Sequence, residues 1–217
     1  MKPRRFLILA GTTAVFLGAI LAGPWTASAR QMSDQQKKMM EQMSDQDKKM
    51  MEMMTKYGTP AKQHEMLKKY VGEWDVETKA WPNPGAEPVA GKGMEKNELI
   101  FDGRYVKCQF EGAMMGMKFR GLEIIGYDLL KNKYIAFWID NMSTGFLTTT
   151  GTLDASGKVL TDTGEYPDPM SAGKKMQKVK NVTTFMEDGK FKFEMFMIGA
   201  DGKEVKSFEI IATRKMM

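Results

Sequence analysis

The chain carries one histidine, one cysteine and 27 acidic residues, and those counts decide which catalytic chemistries it can host. A Ser/His or Cys/His nucleophile needs an imidazole beside it. His64 falls on a short segment ahead of the strands, far in sequence from Cys108. A protein zinc site takes three or four His, Cys or carboxylate ligands, which one His and one Cys supply poorly. Gly112-Ala113-Met114-Met115-Gly116 lacks the Lys-Ser/Thr that a phosphate-binding loop requires. Asp128 and Asp140 have the chemistry of a glycosidase pair, whose carboxyls sit about 5–10 Å apart. A chain this rich in acids offers many such pairs, so no catalytic residue is assigned. In Tyr105-Val106-Lys107-Cys108-Gln109-Phe110 the thiol shares a strand face with Val106 and Phe110, which reads as a buried, inert cysteine.

Residues suited to binding are better represented. On a strand over 133–140, Tyr134, Ala136, Trp138 and Asp140 share one face, while Ile135, Phe137 and Ile139 share the other. Either face can be internal. If the first lines a lumen, it forms an aromatic and polar pocket in which Arg104, Arg120 and Arg214 pair with Asp140 or meet a ligand carboxylate. The candidate ligand-binding set is Trp74, Arg104, Arg120, Tyr127, Trp138, Asp140 and Arg214, with no cofactor required. In the opposing arrangement Trp74, Trp138 and Arg214 close the barrel, the arginine stacking on an aromatic ring.

Methionine is the other unusual feature: of 22 in the chain, eight fall within 32–54. Thioethers suit Cu(I), and Met39, Met40, Met43, Met50, Met51 and Met54 form the alternative copper set, with Met40/Met43 and Met51/Met54 one helical turn apart. The same side chains also fill the apolar face of a packing helix or act as an oxidation sink. Met114, Met115 and Met117 form a second cluster at a strand turn.

The elements that carry these residues are legible in three blocks. Residues 1–29 read as a cleavable export signal: Lys2, Arg4 and Arg5, an uncharged run from Phe6 to Ala22, then Ala27-Ser28-Ala29. Loss of its three basic residues takes the formal charge from +5 to +2, which gives no basis for nucleic-acid binding. The mature chain is therefore expected to be periplasmic or secreted. Over 30–58, QMSDQQKKMME and QMSDQDKKMME are two copies of an eleven-residue repeat. Eleven residues make three turns at about 3.67 residues each, predicting an amphipathic helix that mediates self-association or contacts a membrane or partner through 31–54. Gly58 and Pro60 stop it, and a second short helix is expected over 61–70.

The third block, 61–217, is a β domain. Strands are predicted at 74–80, 91–101, 104–112, 117–127, 133–140, 145–153, 159–166, 176–187, 190–198 and 204–214, joined by turns such as Asp102-Gly103 and Glu187-Asp188-Gly189. No connection is long enough for a crossover helix, which excludes a parallel sheet. The expected fold is mainly β: an antiparallel up-and-down, lipocalin-like barrel of about ten strands behind the Met-rich helix, with a β-sandwich as the alternative.

Gly72-Glu73-Trp74, Phe101-Asp102-Gly103-Arg104, Gly126-Tyr127-Asp128, Trp138 to Ser143 and Ile210-Ile211-Ala212-Thr213-Arg214 occur in that order. Across residues 61–215 this series resembles the uncharacterised bacterial domain of unknown function 1579. The resemblance implies a calycin-like barrel and no chemistry. The expectation for function is an exported, non-enzymatic envelope protein whose barrel binds a small, largely apolar ligand. The alternatives are a Cu(I)-binding protein and an assembly module with a plugged barrel.

Overall fold

The computed structural model describes residues 41–114 and 116–215. The export signal and the methionines Met39 and Met40 lie outside them. The first described helix, α1, spans Asp45–Gly58 and starts at Ser44, whose Oγ accepts from the Asp47 amide at 3.2 Å. This N-cap marks a fresh helix start inside the second repeat, so one continuous helix over 30–58 is not what the described residues form. Alternation of Met with Lys, Asp and Glu leaves no α1 residue buried; Met50, Met53 and Met54 are each about half exposed.

A 3-10 helix over Lys62–Lys69 follows, burying His64, Met66 and Leu67. Ten strands come next: β1 (Gly72–Ala80), β2 (Val89–Ile100), β3 (Tyr105–Met114), β4 (Met117–Asp128) and β5 (Lys133–Asp140) make the first half. The second half is β6 (Leu147–Leu153), β7 (Val159–Pro167), β8 (Met176–Phe185), β9 (Lys190–Ile198) and β10 (Glu204–Arg214). Each strand pairs antiparallel with its sequence neighbours, and β10 returns to β1, closing the barrel. Closure satisfies every edge of what would otherwise be a long open sheet.

Sequence alternation sets which way each strand faces. On β1, Trp74, Val76, Thr78 and Ala80 are buried while Glu73, Asp75, Glu77 and Lys79 are exposed. On β3, Val106, Cys108 and Phe110 are buried. The outer face carries Lys96, Lys107, Glu111 and Arg120. No helix among the described residues is long and apolar enough to cross a membrane.

One barrel end is sealed by the 3-10 helix. Leu67 is fully buried, and Tyr70 packs edge-on against Phe185 at 5.0 Å and Phe191 at 5.6 Å. Tyr134 donates its hydroxyl to the Gln63 carbonyl at 2.9 Å, and the His64 ring meets Tyr127 at 5.9 Å. His64 Nδ1 accepts the Ala61 amide at 3.0 Å, and burial lowers the imidazole pKa from its usual value. His64 is thus a neutral structural residue of the seal.

Candidate functional site

Above this seal the barrel holds a cavity of about 520 Å³, within the range of small-molecule sites. Its mouth lies at the opposite end, where the β1–β2 and β5–β6 loops contribute Trp81, Pro82 and Met142. Phe110, Phe119, Tyr134, Trp138, Phe191 and Phe193 supply aromatic wall, and Met114, Met195 and Met197 add thioethers.

Trp138 is the most closely positioned of these. Its indole Nε1 donates to Asp140 Oδ2 at 2.8 Å, and its ring stacks on Phe119 at 6.2 Å. Asp140 Oδ1 accepts the Met142 and Ser143 amides at 2.8 and 3.1 Å, folding the mouth loop into an Asx turn. Gly121 provides the floor: a Cβ there would lie 2.1 Å from Trp138 Cη2. The indole can lie over β4 only because that residue has no side chain.

Deeper in, the lumen is polar. Glu95 on β2, Glu123 on β4 and Asp162 on β7 all line the cavity. Glu95 and Glu123 keep some accessible surface, but it faces the enclosed lumen. Burial raises the Glu123 carboxyl to about 8, with help from the Asp162 and Glu95 charges, and raises Glu95 to about 7. Asp162 is also raised by burial. Asn97 Nδ2 donates to Glu95 at 3.1 Å and Asn181 Nδ2 to Asp162 at 2.9 Å. Among the described residues no Lys, Arg or His lines the cavity.

The sequence-predicted residues separate accordingly. Trp138 and Asp140 line the lumen, so the Tyr134/Ala136/Trp138/Asp140 face of β5 is the internal one. Tyr127 packs against Tyr134 at 4.8 Å near the sealed end. Trp74 is 2 % exposed, donates Nε1 to the Tyr70 carbonyl at 2.8 Å and lies 4.2 Å beneath the Arg214 guanidinium. Arg214 also donates to the carbonyls of Val71 and, at 3.2 Å, Lys69. Gly72, at φ +133°, leaves room for that guanidinium, since a Cβ would meet Arg214 Nη1 at 2.4 Å. This pair belongs to the closure, as the stacked-arginine alternative expected.

Arg104 sits on the β2–β3 turn, where it donates to the Gly58 carbonyl at 2.8 Å and the Phe101 carbonyl at 3.0 Å. Arg120 points outward from β4 because it alternates with the inward Phe119 and Gly121. The expected pairing of Arg104, Arg120 or Arg214 with Asp140 is therefore replaced by the Trp138–Asp140 bond. Asp128, half of the acid pair considered for glycoside chemistry, accepts the Leu130 and Lys131 amides in the β4–β5 turn, at the end away from Asp140.

Cys108 is buried and in no disulfide, and burial pushes its thiol pKa well up, as an inert cysteine should behave. Of the copper set, Met43, Met50, Met51 and Met54 lie in the described residues; no group of three His, Cys, Asp or Glu there is arranged to hold a metal.

Glu95, Glu123, Asp162 and Asn181 were not singled out from sequence. For Glu123 and Asp162 a signal existed: each alternates with apolar residues that must point inward, Phe119 and Ile125 for Glu123 and Leu160 for Asp162.

The family model described as Protein of unknown function (DUF1579) matches residues 59–214, which take in the seal and all ten strands. No curated protein matches the chain significantly.

Proposed function

The chain belongs to this family of unknown function, and from that premise we propose that it is an exported, non-enzymatic protein whose barrel binds one small, largely apolar ligand. The observation that carries this reading is the cavity: about 520 Å³, sealed at one end, entered at the other and walled mainly by aromatic and thioether side chains. A barrel filled by its own side chains would leave no such space. The mechanism follows from position. The ligand enters past Trp81 and Met142, its apolar body packs on the Trp138 and Phe119 rings, and water leaves the aromatic wall. Asp140 holds the indole rather than the ligand.

Native mass spectrometry of the mature protein, purified gently from its own envelope fraction, tests the proposal. A co-purifying organic mass of one per chain that disappears in Trp138→Ala is the expected result. A mass retained undiminished in that variant assigns the ligand to another surface.

The half-exposed Met50, Met53 and Met54 on α1 favour a second role outside the barrel, association of the helix with another copy or a partner. Replacing Met39, Met40, Met43, Met50, Met51 and Met54 by Leu preserves an apolar stripe and removes the thioethers of the copper set. Association that survives the change supports this role. An added 63 or 64 mass units per chain that the change abolishes would instead support Cu(I) binding.

A further inference from the structure

We propose that the ligand carries a protonated amine, which enters the lumen headfirst and is held by the carboxylates of Glu123 and Asp162. This rests on the ligand-binding reading above and names the chemistry of the bound molecule. Three acids line the cavity, and no basic side chain among the described residues lines it with them. Two amide donors already answer them: Asn97 gives its Nδ2 to Glu95 and Asn181 gives its Nδ2 to Asp162.

An unpaired acceptor also remains among the lining groups. Asn181 is 5 % exposed, lines the cavity, and its Oδ1 has no hydrogen-bond partner. Thr149, 4 % exposed, sets its Oγ1 near the Asp162 carboxyl without a hydrogen bond of standard geometry. A buried acceptor left unpaired costs about 1–3 kcal/mol, and an ammonium brings three donors together with the missing positive charge. The aromatic wall of Phe110, Phe119 and Trp138 adds favourable ring faces for a cation. A carboxylate ligand would find no basic side chain to pair with and would be repelled by whichever of the three acids are ionised.

Isothermal titration of the full mature protein near pH 8 with three matched compounds tests this: 4-phenylbutylammonium, 4-phenylbutan-1-ol and 4-phenylbutanoate. The ammonium is expected to bind at least about tenfold more tightly than the alcohol, with the carboxylate weakest. Glu123→Gln and Asp162→Asn, verified as folded by circular dichroism, should each bring the ammonium within about threefold of the alcohol when both are titrated into the same variant. Equal binding of all three compounds, or preference for the carboxylate, overturns the amine assignment and leaves the ligand-binding reading standing. An ammonium preference untouched by both substitutions overturns the assignment to these two acids. Failure of all three to bind overturns both the amine assignment and the reading beneath it.

Discussion

Glu123→Gln is the most informative single substitution, because its effect on stability must change with pH. In the unfolded chain this carboxyl titrates near 4.5, whereas in the barrel burial holds it at about 8. Between those values the folded state binds a proton that the unfolded state has released, so unfolding becomes easier as pH rises. The wild type has the full contribution of the neutral acid below about pH 4.5 and loses it as pH climbs through about 8. With about 1.4 kcal/mol per pH unit, the span from 4.5 to 8 sets a ceiling of about 5 kcal/mol. Because the carboxyl keeps some surface on the cavity, we expect about 2–3 kcal/mol of this to be realised.

Glutamine cannot ionise and fills nearly the same volume. Glu123→Gln should therefore match the wild type near pH 4.5 and exceed it near pH 9. For a chain of this size the gain corresponds to about 5–10 °C in Tm. Thermal melts of both proteins at the two pH values measure the difference directly. An equal Tm gap at pH 4.5 and pH 9 would refute the reasoning, because it would mean that the lumen leaves Glu123 with an ordinary carboxylate pKa.

Other expectations follow from the seal and the mouth. Gly121→Ala should displace the Trp138 indole, whose Cη2 lies 2.1 Å from the new Cβ, and blue-shifted tryptophan emission should move toward that of an exposed ring. Leu67→Ala removes a fully buried side chain from the seal and should cost about 2–5 kcal/mol in chemical denaturation. Arg214→Ala loses the stack on Trp74 and the bonds to the Val71 and Lys69 carbonyls, and should cost about 1–3 kcal/mol.

The strands were readable because alternation and turn chemistry agree along the domain. Asp102-Gly103 and Glu187-Asp188-Gly189 fall at turns where the backbone adopts positive φ, and all ten strands lie within a few residues of their expected positions. The site was readable in part. Trp138 and Asp140 were found because they share a face of β5, but which face points inward depends on closure, a tertiary fact. On β4 both faces are apolar: Leu122 and Ile124 alternate outward while Phe119 and Ile125 go in. Arg120 could thus be drawn on either side, and Glu123 was passed over because a carboxylate belongs on the surface by default. Arg214 was legible as a functional-looking residue and also as a plug; stacking on Trp74 resolves it to the plug. The helix start at Ser44 was masked by the repeat, since the same Ser-Asp pair occurs in both copies.

The central claim, an open barrel that holds one apolar molecule, is tested most directly by titrating N-phenyl-1-naphthylamine, a neutral probe whose fluorescence rises in apolar surroundings. The wild type should show saturable enhancement at one probe per chain. Ala136→Trp, which sets an indole into the lumen from β5, should abolish that enhancement while the protein stays folded. No saturable enhancement in the wild type, or enhancement unchanged by Ala136→Trp, would contradict the account.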